Sequence, residues 1–187
     1  MGAMVDLDGV TAYRAEPTVP PQGALVLIHE IWGLVPHIRG IADRYAAEGY
    51  VVLAPDLLSD AGITPDVGAE LDALRGEHDE EKRLLGQALL REKLATTHAP
   101  EFAAEAVRKL RLVVDALAAE PGIGGRIAVT GFCFGGSYSF ALAAADPRVR
   151  AAIPFYGTAA TDVSRIACPV LALYGEDDPR IRSAHDG

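Results

Sequence analysis

The segment Thr130-Gly131-Phe132-Cys133-Phe134-Gly135-Gly136 sets a cysteine in the pattern Gly-x-Cys-x-Gly. A nucleophile on a sharp turn between a strand and a helix needs small neighbours, because larger ones collide with the turn. Such a turn lifts the sulfur to the carboxyl edge of a sheet. It also seats the sulfur at a helix N-terminus, where the dipole favours a thiolate. The chemistry this implies is nucleophilic attack on a carbonyl. The alternative is a buried small hydrophobe in a tight strand-to-helix turn. Cys168, before Pro169 and without such a motif, reads as structural.

The elements that must position Cys133 are legible around it. Arg126 to Thr130 reads as a buried strand and Ser137 to Ala145 as a helix of small residues. Ala24 to Ile28 and Tyr50 to Ala54 are continuous apolar runs, as strands covered on both faces read. Between them Pro36 opens a helix with Ile38, Ile41, Ala42 and Tyr45 on one face, and Gly49 closes it. Pro100 opens another, with Phe102, Ala106, Leu110, Val113, Val114 and Leu117 on one face, ended by Pro121-Gly122. Residues 57–100 read as helices with irregular connections, and the charge run Glu77 to Lys82 as a solvated face. Gly9 to Ala15 reads as an edge strand, and Ala151 to Phe155 and Val170 to Tyr174 as the last strands. Strands alternating with helices predict an α/β fold with a mostly parallel central sheet flanked by helices.

Composition narrows the function. The 187 residues are 50% hydrophobic and 23% charged, an ordinary globular balance that predicts a single domain over 1–187. A net charge of −9 without a basic cluster argues against nucleic-acid and anionic-membrane partners. Two cysteines make no disulfide framework and neither sits in a zinc-type pair. No apolar run is long enough for a membrane span and no signal peptide is visible, so the expected location is cytoplasmic.

Several segments together resemble the dienelactone hydrolase family of α/β-hydrolases. They are Val26 to Leu34 (VLIHEIWGL), Glu48 to Leu57 (EGYVVLAPDL), Gly131 to Gly136 (GFCFGG), Pro154 to Gly157 (PFYG) and Cys168 to Asp178 (CPVLALYGEDD). The resemblance implies the α/β-hydrolase fold, hydrolysis of a small ester or lactone, and no metal or organic cofactor. It implies Cys133 as nucleophile and Glu30 as the carboxylate that contacts the resting thiol and takes its proton. The backbone N–H groups of Ile31 and Phe134 become the oxyanion hole, as is general for this fold. Trp32 and Tyr156 become pocket walls, with core aromatics as the alternative. Asp177 and Asp178 are both candidates for the triad acid, and the family spacing favours Asp178. Arg83 and Arg91 are candidates to hold a substrate carboxylate, against a plainer reading as solvent-facing arginines.

The family's base is a histidine after the acid, in a loop beyond one more strand. Here the only histidine after Asp178 is His185, without matching context. His29 reads as a packing residue at the strand end, His37 as a helix-start residue, and His78 and His98 as members of polar stretches. The expectation is therefore a truncated hydrolase lacking the base and the last strand and helix, with an apolar sheet edge near Val170 to Leu173. General carboxylesterase activity, a non-catalytic ligand-binding module and a thiol redox protein stand as rivals. The last lacks a resolving cysteine near Cys133 in sequence.

Overall fold

The computed structural model describes residues 2–159 and 162–178. Strands β1 (Ala3–Leu7), β2 (Val10–Ala15), β3 (Gly23–Ile28), β4 (Tyr50–Pro55), β5 (Ile127–Phe132) and β6 (Val149–Phe155) form one sheet. Its order is β1-β2-β4-β3-β5-β6. β1, β2 and β4 pair antiparallel, whereas β4, β3, β5 and β6 run parallel. The helices are α1 (Pro36–Ala47), α2 (Pro65–Arg75), α3 (Glu80–Leu94), α4 (Pro100–Ala118) and α5 (Phe134–Ala145).

All six residues of β3 are buried, because each face of the sheet carries helices. On one face α1 lays Ile38, Ile41, Ala42 and Ala46 against Leu25, Leu27, Val52 and Ala54. On the other, α4 lays Leu110, Val113, Val114 and Leu117 against Val26, Ile28, Leu53 and Val129. Each such side chain contributes roughly 1.5–3 kcal/mol on burial. The chain leaves β3 for β4 on one side, then returns through α4 to β5 on the other side of β3. Strand order therefore reverses at β3, and the crevice between the carboxyl ends of β3 and β5 is where an open parallel sheet binds ligands.

Three elements differ from the sequence reading. β2 is not the edge, because β1 pairs outside it through the two-residue turn Asp8-Gly9, both at positive φ. α5 starts at Phe134, directly after Cys133, rather than at Ser137. The run expected as a strand at Val170 to Tyr174 does lie parallel to β6, with Leu171 and Leu173 N–H groups donating to the Ala152 and Pro154 carbonyls, but as bridges from Val170 to Ala152 and from Leu173 to Phe155 rather than as a continuous strand. Val170, Leu171, Leu173 and Tyr174 are exposed there. The charge run 77–82 is exposed, and Asp79 caps α3 by accepting from the N–H groups of Glu81 and Lys82. Among the described residues no helix is long and apolar enough to cross a membrane.

Candidate active site

Cys133 stands between β5 and α5 with φ 54° and ψ −108°. The left-handed region is costly for a residue with a Cβ and is kept only where surroundings enforce it. They do so here. The Cys133 N–H donates to the Phe155 carbonyl at 2.9 Å, and its own carbonyl accepts from the Ser137 N–H at 3.1 Å. A Cβ at Gly135 would overlap the carbonyls of Ile28 and His29, so only glycine lets α5 start this close to β3. Tyr156, after β6, is the other non-glycine residue with positive φ (42°) on this edge. Its N–H donates to the Leu173 carbonyl at 2.7 Å, so the segment past Pro169 holds it in place.

The second arm follows β3. His29 is fully buried. Leu57 N–H donates to His29 Nε2 at 3.1 Å, so the ring carries its proton on Nδ1 and donates to the Glu30 carbonyl at 2.7 Å. Burial pushes this imidazole below the ordinary histidine range, more than the Glu30 carbonyl and the Asp56 carboxylate push it back. The Glu30 carbonyl also accepts from Gly33 N–H at 3.1 Å. That carbonyl shares one planar peptide with the Ile31 N–H, so whatever fixes the one orients the other. The His29 ring stacks on Phe134, centroids 5.8 Å apart and planes 3° apart. His29 thus contacts the Glu30 carbonyl and the Phe134 ring, which goes beyond the packing role read from sequence.

Two cavities meet at Cys133. One, of about 450 Å³, is lined by Glu30, Ile31, Trp32, His37, Asp72, Arg75, Cys133 and Tyr156. The other, of about 320 Å³, includes Ile31, Cys133, Phe134, Tyr138, Tyr156 and His98. Both volumes suit a small organic ligand. A larger cleft of about 600 Å³ along α1 shares His37 with the first cavity but does not reach Cys133. Burial raises the Glu30 carboxyl above the usual carboxylate range; Asp72 adds to the rise, and His37 and Arg75 oppose it. Burial also raises the Tyr156 phenol, helped by negative charge at Glu30 and Cys133.

The crevice thus gathers Cys133, Glu30, Ile31, Phe134, Trp32 and Tyr156, all singled out in the sequence. Asp178 lines neither cavity. It is half-buried in the turn beyond the last β-bridge, where its N–H donates to the Gly175 carbonyl at 3.2 Å. Arg83 and Arg91 sit on α3 and line neither cavity, which corrects their candidacy; α3 packs on α2 and reaches the crevice only through its last residue, Leu94. The cation at the rim is Arg75, its guanidinium 5.6 Å from the centre of the Trp32 ring. The sequence reading missed Arg75, Asp72 and His37. The available signal was Gly68 within α2, where a Cβ would overlap the Trp32 carbonyl. His185 lies outside the described residues. Cys168 is half-buried against the core. Among the described residues, no three His, Cys, Asp or Glu side chains gather to hold a metal ion.

The sequence model of the "Dienelactone hydrolase family" matches residues 10–186. The chain belongs to that family. A relative in Salmonella typhimurium, named "Putative carboxymethylenebutenolidase", is 30% identical over 93% of this chain. The chain spans 62% of that relative's length. One of the same name in Saccharolobus solfataricus is 30% identical over 94% of the chain and 74% of its own length. The crystal structure of a "Putative Dienelactone Hydrolase" from Klebsiella pneumoniae superposes with a TM-score of 0.71 at 27% identity, covering 96% of this chain and 74% of that one. The family is one of hydrolases on the α/β-hydrolase fold, and the sheet order agrees with that fold.

Proposed function

We propose that this chain carries the acyl-transfer centre of a hydrolase for small esters or lactones, with Cys133 as nucleophile. The observation behind the reading is the left-handed cysteine at the strand-order reversal, sharing one cavity with Glu30, Ile31 and Tyr156. As substrate arrives, the ionised Glu30 carboxylate accepts the thiol proton. A carboxyl raised above its usual range is a better base for this, being closer to neutral pH. The thiolate attacks the carbonyl carbon, forming the C–S bond, and the Ile31 and Phe134 N–H groups receive the oxyanion. Collapse breaks the C–O bond. The departing alkoxide takes the proton from Glu30 and leaves a thioester on Cys133. Hydrolysis of the thioester by water, which releases the acid and restores the thiol, is the step for which the family uses a histidine oriented by the residue matching Asp178.

The rim argues for a substrate class. Trp32 and Tyr156 wall the cavity, and the Arg75 guanidinium there suits a lactone that carries a carboxylate. The second cavity, lined by Leu94, Phe134 and Tyr138, instead suits an uncharged acyl group, which favours general carboxylesterase activity as the second reading.

The test is rapid mixing with nitrophenyl acetate. The expected result is a burst of nitrophenolate equal to the protein concentration, absent in Cys133→Ala. Tight binding of small esters with no burst would replace the hydrolase reading with a ligand-binding module. Rapid Cys133-dependent consumption of peroxide would favour the redox reading.

A further inference from the structure

A third cavity, of about 240 Å³, lies beside the crevice without opening into it. Its apolar walls are Leu57, Ala61, Phe102 and Ala106, and Asp60, Thr96, Glu105 and Lys109 complete its lining. Lys109 is buried along its stem and paired with Asp60 at 2.5 Å, the Asp60 side chain being 82% exposed. The charges therefore sit toward the surface. The cavity's open side carries these polar groups, and its apolar walls leave room for a short alkyl chain.

A wall of aromatic rings separates it from the cavity at Cys133. The Phe102 ring lines the third cavity and meets Phe134 (centroids 6.3 Å apart) and Tyr138 (6.5 Å). Phe134 and Tyr138 line the cavity at Cys133. The same partition continues along the chain: Thr96 faces the third cavity, while Leu94, Thr97 and His98 face the one at Cys133. Leu57 closes the far side, and its N–H is the one bound to His29, which stacks on Phe134.

We infer that Phe102, through the Phe134 and Tyr138 rings that it backs, sets the length of acyl group that the Cys133 site accepts, and that the cavity on its far side is a second acyl pocket. This rests on the assignment of Cys133 as nucleophile. The wild-type protein takes short acyl groups, because the Phe134 and Tyr138 rings, backed by Phe102, end the cavity. Removing the Phe102 ring takes away the backing of the Phe134 and Tyr138 rings, which can then turn aside and admit a chain toward Leu57 and Ala106. Chain discrimination in apolar pockets runs at about ten-fold or more per methylene, so the change is easily read.

The experiment compares full-length wild type, Phe102→Ala, Phe102→Leu and Phe102→Trp. It measures the rate at which Cys133 is acylated by nitrophenyl acetate, butyrate, hexanoate and octanoate, by intact mass after acid quench. Thermal unfolding checks each variant's fold, and Phe102→Leu supplies the answer where the alanine variant does not fold. The octanoate-to-acetate rate ratio is expected to rise at least about ten-fold in Phe102→Ala, and by less in Phe102→Leu. In Phe102→Trp it is expected to stay at or below the wild-type value. Wild type acylated by acetate, with the same ratio in every folded variant, overturns the inference and leaves the nucleophile assignment standing. No acylation of wild type by any of the esters overturns both.

Discussion

Truncating His29 to alanine tests whether the buried imidazole holds the oxyanion hole in place. Two hydrogen bonds and a ring stack disappear together. The Leu57 N–H, on a residue only 2% exposed, loses its acceptor, which costs about 1–3 kcal/mol of stability. The Glu30 carbonyl keeps its bond from Gly33 N–H, so the Ile31 amide is loosened rather than lost. Losing an oxyanion donor outright costs on the order of a hundred- to a thousand-fold in rate. With one of two constraints left, a fall of about ten- to a hundred-fold in Cys133 acylation by nitrophenyl acetate is expected. Alkylation of the same thiol by iodoacetamide develops no oxyanion, so its rate should change little. His29→Gln restores most of the acylation rate, because its amide can accept from Leu57 and donate to Glu30. A folded His29→Ala protein that is acylated at the wild-type rate refutes the reasoning. So does a variant in which acylation and alkylation fall by the same factor.

Other outcomes follow from the charges. The raised Glu30 carboxyl places the acid limb of the acylation rate above the usual carboxylate range; Asp72→Asn should move that limb to lower pH and His37→Gln to higher pH, read from burst rates against pH. Because burial raises Glu30 in the folded state, its contribution to stability is lost as pH rises through the folded value. Glu30→Gln should therefore melt higher than wild type at neutral pH, with the gap closing below the ordinary carboxylate range, and should be acylated more slowly. Arg75→Gln should raise KM for a carboxylate-bearing lactone with little effect on nitrophenyl acetate, checked by parallel steady-state assays. Arg148 donates to the buried Asp146 at 2.6 Å and holds its carboxyl below the usual range, so Arg148→Ala should cost about 1–3 kcal/mol in denaturant unfolding at neutral pH. That loss should shrink as pH falls through the lowered Asp146 value.

What could be read in advance was what local chemistry enforces. The turn needs glycine at 131, 135 and 136 because α5 begins against β3 and β6, and that need is written within six positions. The buried parallel strands show as unbroken apolar runs, and α4 shows its core face at helical spacing. Asp8-Gly9 carried a strong hairpin signal, but β1 is largely exposed and lacks the apolar run that would have marked a strand. The crevice residues missed all come from non-local packing. Asp72 and Arg75 reach the site because α2 docks on the Trp32 carbonyl through Gly68, and His37 because the loop before α1 folds back beside Glu30. The converse holds at residues 170–174, where an apolar run spells a strand. Among the described residues it pairs with β6 alone, through isolated bridges.

The most direct test of the account is to locate the acyl group. The protein is mixed with a small lactone, quenched in acid, digested and mapped by mass. One opened-lactone adduct per chain is expected, on Cys133, absent from Cys133→Ala and slower to form in Glu30→Gln. An adduct on Cys168, or hydrolysis that persists undiminished in Cys133→Ala, would contradict it.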